Sequence, residues 1–220
     1  MCRNLRKTYR TVGGSVDAVS GVDLDVAAGR FVAIIGRSGS GKSSLIAMIG
    51  GLSRPDAGTV CIDGTDVWSL NDAAQARFRN RFIGYIFQSD YLLPTLSTLD
   101  NVVLPALLGH PRDANLARDR AARLLSSVGL GRHLDAYPAE MSAGEQRRAV
   151  IARALVNAPR LLLADEPTSN LDEQSEREMM AELLRANRDD GVTLLLVTHT
   201  LALAAEADEV VQIADGAMVS

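Results

Sequence analysis

Phe31-Val32-Ala33-Ile34-Ile35-Gly36-Arg37-Ser38-Gly39-Ser40-Gly41-Lys42-Ser43-Ser44 reads as a strand, a glycine-rich turn and the start of a helix. Gly36, Gly41, Lys42 and Ser43 fill the fixed positions of G-x-x-x-x-G-K-[ST]. The β-rich run before the motif and Leu45-Ile46-Ala47-Met48-Ile49 after it supply the strand and helix it requires. Glycines let successive N–H groups point into one concavity, and the helix starting near Lys42 adds its positive dipole end. Such a cradle takes the phosphates of a nucleoside triphosphate. Only Lys7 and Lys42 are lysine among the 23 Lys and Arg residues. A compact ammonium kept at position 42 in an arginine-preferring chain fits a counter-ion set between β- and γ-phosphates.

The length, 220 residues, allows one large domain or two intimate subdomains, with 47% apolar residues to build a core. The longest apolar runs, near Leu161 and Leu194, are far short of the roughly 20 residues of a membrane helix. The start, Met1-Cys2-Arg3-Asn4-Leu5-Arg6-Lys7, lacks an apolar signal core, so a cytoplasmic location is expected. Cys2 and Cys61 are expected as free thiols. A formal net charge of -4 with scattered arginines argues against a nucleic-acid footprint, and His110 and His133 have no metal-ligand spacing with the cysteines.

Short strands are predicted over 4–9, 16–20 and 22–26, leading into the strand at Phe31. Asp63-Gly64 marks a hairpin between 59–62 and 65–67. Asn71 caps a helix running to about Asn80, and 82–87 reads as a buried strand ending at Gln88. The Arg77, Arg79, Arg81 run reads as a solvated face. From Ser89 to about Asn157 helical periodicity takes over: Ser97-Thr98-Leu99-Asp100 has the form of a capping box, and Ala117, Ala121, Leu124, Leu125 and Val128 share a face. Strand and helix then alternate: strand 160–164, helix 173–188 with Met179, Met180, Leu183 and Leu184 inward, strand 193–198, helix 201–207, strand 210–214. That alternation predicts an α/β fold with a mostly parallel core sheet, helices on both faces, an antiparallel β-subdomain and an inserted helical subdomain. The division is 1–88 with 158–220 as the nucleotide-binding core, and 89–157 as the helical insertion.

Leu161-Leu162-Leu163-Ala164-Asp165-Glu166 is an apolar strand ending in two carboxylates. Beside a phosphate loop, Asp165 with the Ser43 hydroxyl suits Mg²⁺, and Glu166 suits orienting and deprotonating a water. The competing use of such a pair is helix capping before Pro167. His199 closes another strand, where an imidazole fits the γ-phosphate or a role in orienting Glu166, although a lone histidine is often structural.

With these residues in place, the chain resembles an ATP-binding cassette (ABC) ATPase, the nucleotide-binding subunit of an ABC transporter, over essentially its whole length. Gln88 matches the family's Q-loop, Met141-Ser142-Ala143-Gly144-Glu145-Gln146 its signature motif, Ser169-Asn170-Leu171-Asp172 its D-loop and His199 its switch histidine; Tyr9 sits where the family places an adenine-stacking aromatic. The stretch 91–102 and the Gly144-Glu145-Gln146-Arg147 form of the signature are similar to lipoprotein-releasing, macrolide-exporter and FtsE-type ATPases. The resemblance implies ATP and Mg²⁺, with Gln88 as a further metal ligand. It implies a homodimer in which Ser142, Ala143, Gly144 and Glu145 of one copy face the ATP in the loop of the other. It also implies an integral membrane permease as partner, placing the chain peripherally on the inner face of the membrane, in an export or mechanotransmission system. Met141, Ala143 and Thr200 depart from the family's usual residues. Two other functions stay in view: a soluble ABC ATPase acting on nucleic acid, ribosomes or cluster assembly, and a regulatory scaffold gating a membrane partner with little turnover.

Overall fold

The computed structural model describes residues 1–11, 14–89, 92–109, 114–169 and 171–219. Its first strands, β1 (Cys2–Thr11) and β2 (Gly14–Leu24), pair antiparallel. The two strands predicted at 16–20 and 22–26 are therefore one, ending before Val26. Leu5 pairs with Val22 and Arg6 with Ser20, which leaves Gly21 as an extra residue at φ 79. A bulge of this kind shifts the two-residue alternation by one, so Val19, Val22 and Leu24 all face inward despite their odd spacing.

After β3 (Phe31–Ile35) and α1 (Lys42–Ile49), β4 (Ala57–Ile62) and β5 (Thr65–Asp66) form the expected hairpin, with Asp63 and Gly64 both left-handed at φ 50 and 78. The second strand stops at Asp66, short of the predicted Val67, because the Asp66 carboxylate accepts the Trp68 N–H and starts a 3₁₀ turn. Asn71 caps α2 (Asp72–Phe82) by accepting the Ala74 N–H. Of the arginine run, Arg77 and Arg81 are exposed as expected. Arg79 is not merely solvated, since it donates to the Gly51 carbonyl at 2.9 Å and to Gln75.

Next come β6 (Ile83–Ile86), α3 (Thr98–Gly109), α4 (Ala114–Ser127), α5 (Ala143–Leu155), β7 (Leu161–Asp165) and α6 (Glu173–Arg188). The chain finishes with β8 (Thr193–Val197), α7 (Leu201–Ala204), β9 (Glu209–Ala214) and β10 (Ala217–Val219). The helix predicted to Ala207 breaks off at Ala204 because Asp208 is tied to Phe31, its N–H donating to the Phe31 carbonyl and its carboxylate accepting the Phe31 N–H. A second Asp-Gly turn, Asp215-Gly216 at φ 48 and 77, makes a hairpin absent from the sequence-based expectation.

Two sheets result: an antiparallel one in the order β2-β1-β4-β5, and a six-stranded one in the order β10-β9-β3-β8-β7-β6, parallel except at β10. The central parallel strands β3, β7 and β8 are almost wholly apolar because both their faces are covered. Val32, Ile34, Leu163, Leu195 and Val197 pack with α1 and the antiparallel sheet. Phe31, Ala33, Leu162, Leu194 and Leu196 pack against α5 and α6, where Met179, Met180 and Leu183 are buried and Leu184 partly so. A third cluster, including Val102, Leu125, Met141 and Ala149, holds α3, α4 and α5 together around the predicted face of α4. Cys2 and Cys61 are free thiols, and burial pushes the Cys2 thiol up to about 11. No helix among the described residues is long and apolar enough to cross a membrane.

Candidate functional site

Strands β3, β8, β7 and β6 are parallel neighbours, so their C-terminal ends release four chain segments along one edge of the sheet. From β3 comes the loop Gly36 to Ser44. Gly36, Gly39 and Gly41 have φ of 156, 78 and 102. A Cβ on Gly36 would lie 2.2 Å from the Ile213 carbonyl oxygen and one on Gly41 1.9 Å from that of Ala18, whereas one on Gly39 would meet nothing within 4 Å. Glycine at 36 and 41 thus lets β9 and β2 press against the loop, and Gly39 supplies a left-handed bend at its open side. Helix α1 begins at Lys42 with no side-chain cap, so its first N–H groups, which have no intrahelical acceptor, belong to the cradle.

Lys42 is 7% exposed, its ammonium donating to the Gly36 and Arg37 carbonyls at 2.8 and 2.9 Å. The Ser40 hydroxyl is buried without a hydrogen-bond partner among the described residues. Arg37, Ser38 and Gly39 form the exposed rim and Ser44 is half-buried.

From β7 comes Asp165, whose carboxylate accepts the Ser43 hydroxyl at 3.2 Å. Burial holds the Asp165 carboxyl above the ordinary carboxylate value; the Ser43 bond opposes this and the Glu166 charge adds to it. Glu166 sits in the left-handed region at φ 48, a conformation its side chain disfavours, fastened by its N–H to the Val197 carbonyl at 3.0 Å. That twist turns Glu166 off the strand line toward the end of β8. There Glu166 Oε2 and His199 Nδ1 lie 2.8 Å apart, with the carboxylate largely covered and the imidazole 70% exposed. Gln88 follows β6 and is exposed, hydrogen-bonded to neither Ser43 nor Asp165. The predicted Ser43–Asp165 and Glu166–His199 pairs are brought together, and Gln88 stands at the neighbouring strand end.

Ser142 caps α5 with a reciprocal box: Glu145 N–H donates to Ser142 Oγ, and the Ser142 N–H and hydroxyl both donate to Glu145 Oε2, at 2.8 and 3.0 Å. The backbone bond first, then the hydroxyl, holds the Glu145 carboxyl below the usual carboxylate range. Ala143 is the first helical residue, and Gly144 is beside Ser175 of α6. Among the described residues, no hydrogen bond or ion pair joins Ser142, Ala143, Gly144 or Glu145 to the loop at Gly36 to Ser44. Tyr9 on β1 is 40% exposed, with the Lys7 ammonium 5.5 Å from its ring centroid and its hydroxyl 3.4 Å from Ser53 Oγ. In the segment after Glu166, the Ser169 hydroxyl is buried without a hydrogen-bond partner among the described residues, and Asp172 caps α6. Asn170, Tyr91 and His110 lie outside the described residues.

Sequence reasoning missed Arg147. It is 5% exposed and donates to the Phe87, Gln88 and Ser169 carbonyls. Nothing in Arg147-Arg148 distinguishes it from its neighbour, which forms an exposed ion pair with Glu178.

The ABC transporter family model matches residues 19–169. The chain is 45% identical over 214 residues to the lipoprotein-releasing system ATP-binding protein LolD 2 of Caulobacter vibrioides, covering 97% of this chain and 93% of that one. It is 46% identical to LolD of Syntrophotalea carbinolica, again over 97% and 93%. It is also 45% identical to the macrolide export ATP-binding/permease protein MacB of Syntrophobacter fumaroxidans, where 97% of this chain matches 30% of a longer protein. The solved dimer of the ATP-binding cassette MJ0796 in a post-hydrolysis state, bound to ADP and Pi, superposes with a TM-score of 0.92 at 35% identity, covering all of this chain and 96% of that one. This chain belongs to the ABC transporter family, as an ATP-binding subunit that hydrolyses ATP.

Proposed function

We propose that two copies of this chain close on ATP and open after hydrolysis, and that this cycle drives an integral membrane permease of export or mechanotransmission type. The observation that carries the proposal is the separation of the signature turn from the loop. Ser142 and Ala143 are exposed at a helix N-terminus suited to phosphate, yet no hydrogen bond or ion pair among the described residues joins them to Gly36 to Ser44. A second copy, paired head to tail, would bring its Ser142, Ala143, Gly144 and Glu145 to that ATP. The dimeric MJ0796 cassette and the export and release systems named for the relatives support this.

In this scheme the N–H groups from Gly36 to Ser44 and the Lys42 ammonium hold the phosphates, and the Tyr9 ring stacks on the base. The Ser40 hydroxyl, buried without a partner, and the open side at Gly39 fit a phosphate oxygen. Ser43, Asp165 and Gln88 are oxygen donors of the kind Mg²⁺ takes, one carboxylate with neutral groups and the substrate's own oxygens. When bound there, Mg²⁺ neutralises charge on the phosphates. Glu166 takes the proton of the attacking water, and His199 holds the carboxylate in place through the 2.8 Å contact. We assign 1–88 and 158–220 to the nucleotide-binding core and 89–157 to the helical subdomain. The chain works from the cytoplasmic face, attached through its permease.

Glu166→Gln tests this. The variant should retain Mg-ATP binding, lose roughly 10²- to 10⁴-fold in turnover, and elute with ATP as a dimer on size exclusion. Undiminished turnover, or a persistent monomer with ATP bound, would refute it.

A further inference from the structure

Buried Arg147 lies five residues beyond Ser142, on the helix that Ser142 caps, but its guanidinium leaves α5 for the strand ends of the site. Nη1 donates to the Gln88 carbonyl at 3.0 Å and the Phe87 carbonyl at 3.3 Å, and Nη2 to the Ser169 carbonyl at 3.4 Å. The Ser169 N–H in turn donates to the Glu166 carbonyl at 3.1 Å. A planar fork with five donors spans several backbone acceptors at once, and the carbonyls on Nη1 and Nη2 offset part of the cost of its burial. We infer that Arg147 is a positioning residue for hydrolysis, fastening the segments that carry Gln88 and Glu166 to the helix that presents Ser142. Displacement of α5 when the dimer closes is thereby felt at both segments. Nucleotide binding to one copy should be left largely alone, because the Phe87, Gln88 and Ser169 carbonyls that the guanidinium holds lie outside the Gly36 to Ser44 loop. The inference rests on Glu166 and Gln88 serving hydrolysis, and failure of that assignment reads out separately as undiminished turnover in Glu166→Gln.

The test compares the full chain with Arg147→Gln and Arg147→Lys, measuring thermal midpoint, ATP affinity without turnover, kcat, and amide hydrogen exchange. The expected result is ATP affinity within about twofold, kcat lower by about tenfold or more for Arg147→Gln, and a smaller loss for Arg147→Lys, which keeps the charge without the fork. Exchange should accelerate at Gln88 and Ser169 and not across the sheet. If Arg147→Gln does not fold, a loss of kcat at unchanged ATP affinity in Arg147→Lys supports the inference in its place. Two results overturn it: a folded variant with kcat within about twofold of wild type, or a joint fall of midpoint, affinity and kcat with faster exchange throughout, which would make Arg147 a packing residue only.

Discussion

Gly41→Ala should separate the geometry of the phosphate loop from the stability of the fold. The added Cβ would lie 1.9 Å from the Ala18 carbonyl oxygen, where 3.4 Å begins ordinary contact, so loop and β2 must part by about 1.5 Å. That overpacking costs about 1–3 kcal/mol, and holding alanine at φ 102 about 1–2 kcal/mol more. A sum of about 2–5 kcal/mol lowers the Tm of a chain this size by about 4–20 °C, within what a typical domain survives. The loop yields first, because β2 is held along its length by β1. Displacing it by such a distance costs one or two charge-assisted N–H bonds to phosphate, about 3 kcal/mol, so ATP affinity should fall by about a hundredfold or more. Gly64→Ala is the control: φ is 78, nothing lies within 4 Å of its Cβ, and it sits on a hairpin tip. It should lose about 2–8 °C and bind ATP as wild type does. Fluorescent-nucleotide titration and thermal unfolding of both variants decide the matter. Gly41→Ala binding ATP within about threefold of wild type, with no greater loss of Tm than Gly64→Ala, would show that close approach of β2 does not shape the cradle.

Lys42→Ala should abolish high-affinity ATP binding by equilibrium titration, since a partly desolvated triphosphate loses its compact counter-ion. Asp165→Asn should raise the Tm of the nucleotide-free protein at neutral pH and remove the Mg²⁺-dependent part of ATP stabilisation. The raised Asp165 carboxyl binds its proton longer when folded, so its destabilising effect is absent below the ordinary carboxylate value, grows through the window up to the raised value, and is complete above it. For the same reason Mg²⁺ affinity of the wild type should weaken as pH falls into that window. Ala143→Gly should leave steady-state ATPase activity within about threefold, because residue 143 opens α5 in helical conformation, where alanine costs nothing. A rise of about tenfold or more would show that its methyl obstructs closure.

Those parts of the site that chemistry builds from contiguous residues are legible in the sequence itself. A phosphate cradle needs glycines, a lysine and a helix start at fixed spacing, and a strand can end in Asp165-Glu166 only where the carboxylates leave the sheet. The parity break at Gly21 is hidden, because Val19, Val22 and Leu24 look like two short strands until an extra residue restores one buried face. Asp215-Gly216 carries the same turn signal as Asp63-Gly64, but only a few residues follow it, too short a run to announce a strand by alternation. Arg79 and Arg147 are illegible for another reason. Arg79 also reaches the nearby Gln75, but the carbonyls of Gly51, Gln88 and Ser169 that these arginines hold are backbone atoms far along the chain, and backbone acceptors leave no mark in side-chain pattern.

Helix α5 shows what a periodicity could not convey. Met141 before it and Ala149, Ala152 and Val156 pack into the helical cluster, while Val150, Ile151, Ala154 and Leu155 pack beneath the parallel sheet. An element buried on two sides by two different cores is tied to both. Its free end carries the exposed Ser142 turn, and its buried Arg147 reaches the chain segments that flank Asp165 and Glu166. Packing density makes such a joint stiff, so a shift imposed on the exposed turn travels as a displacement of the whole helix and is not absorbed locally. Under the proposed dimer, with no hydrogen bond among the described residues between loop and signature turn, this helix is the contact through which a second copy closing over one ATP would reach the segments that carry Gln88 and Glu166.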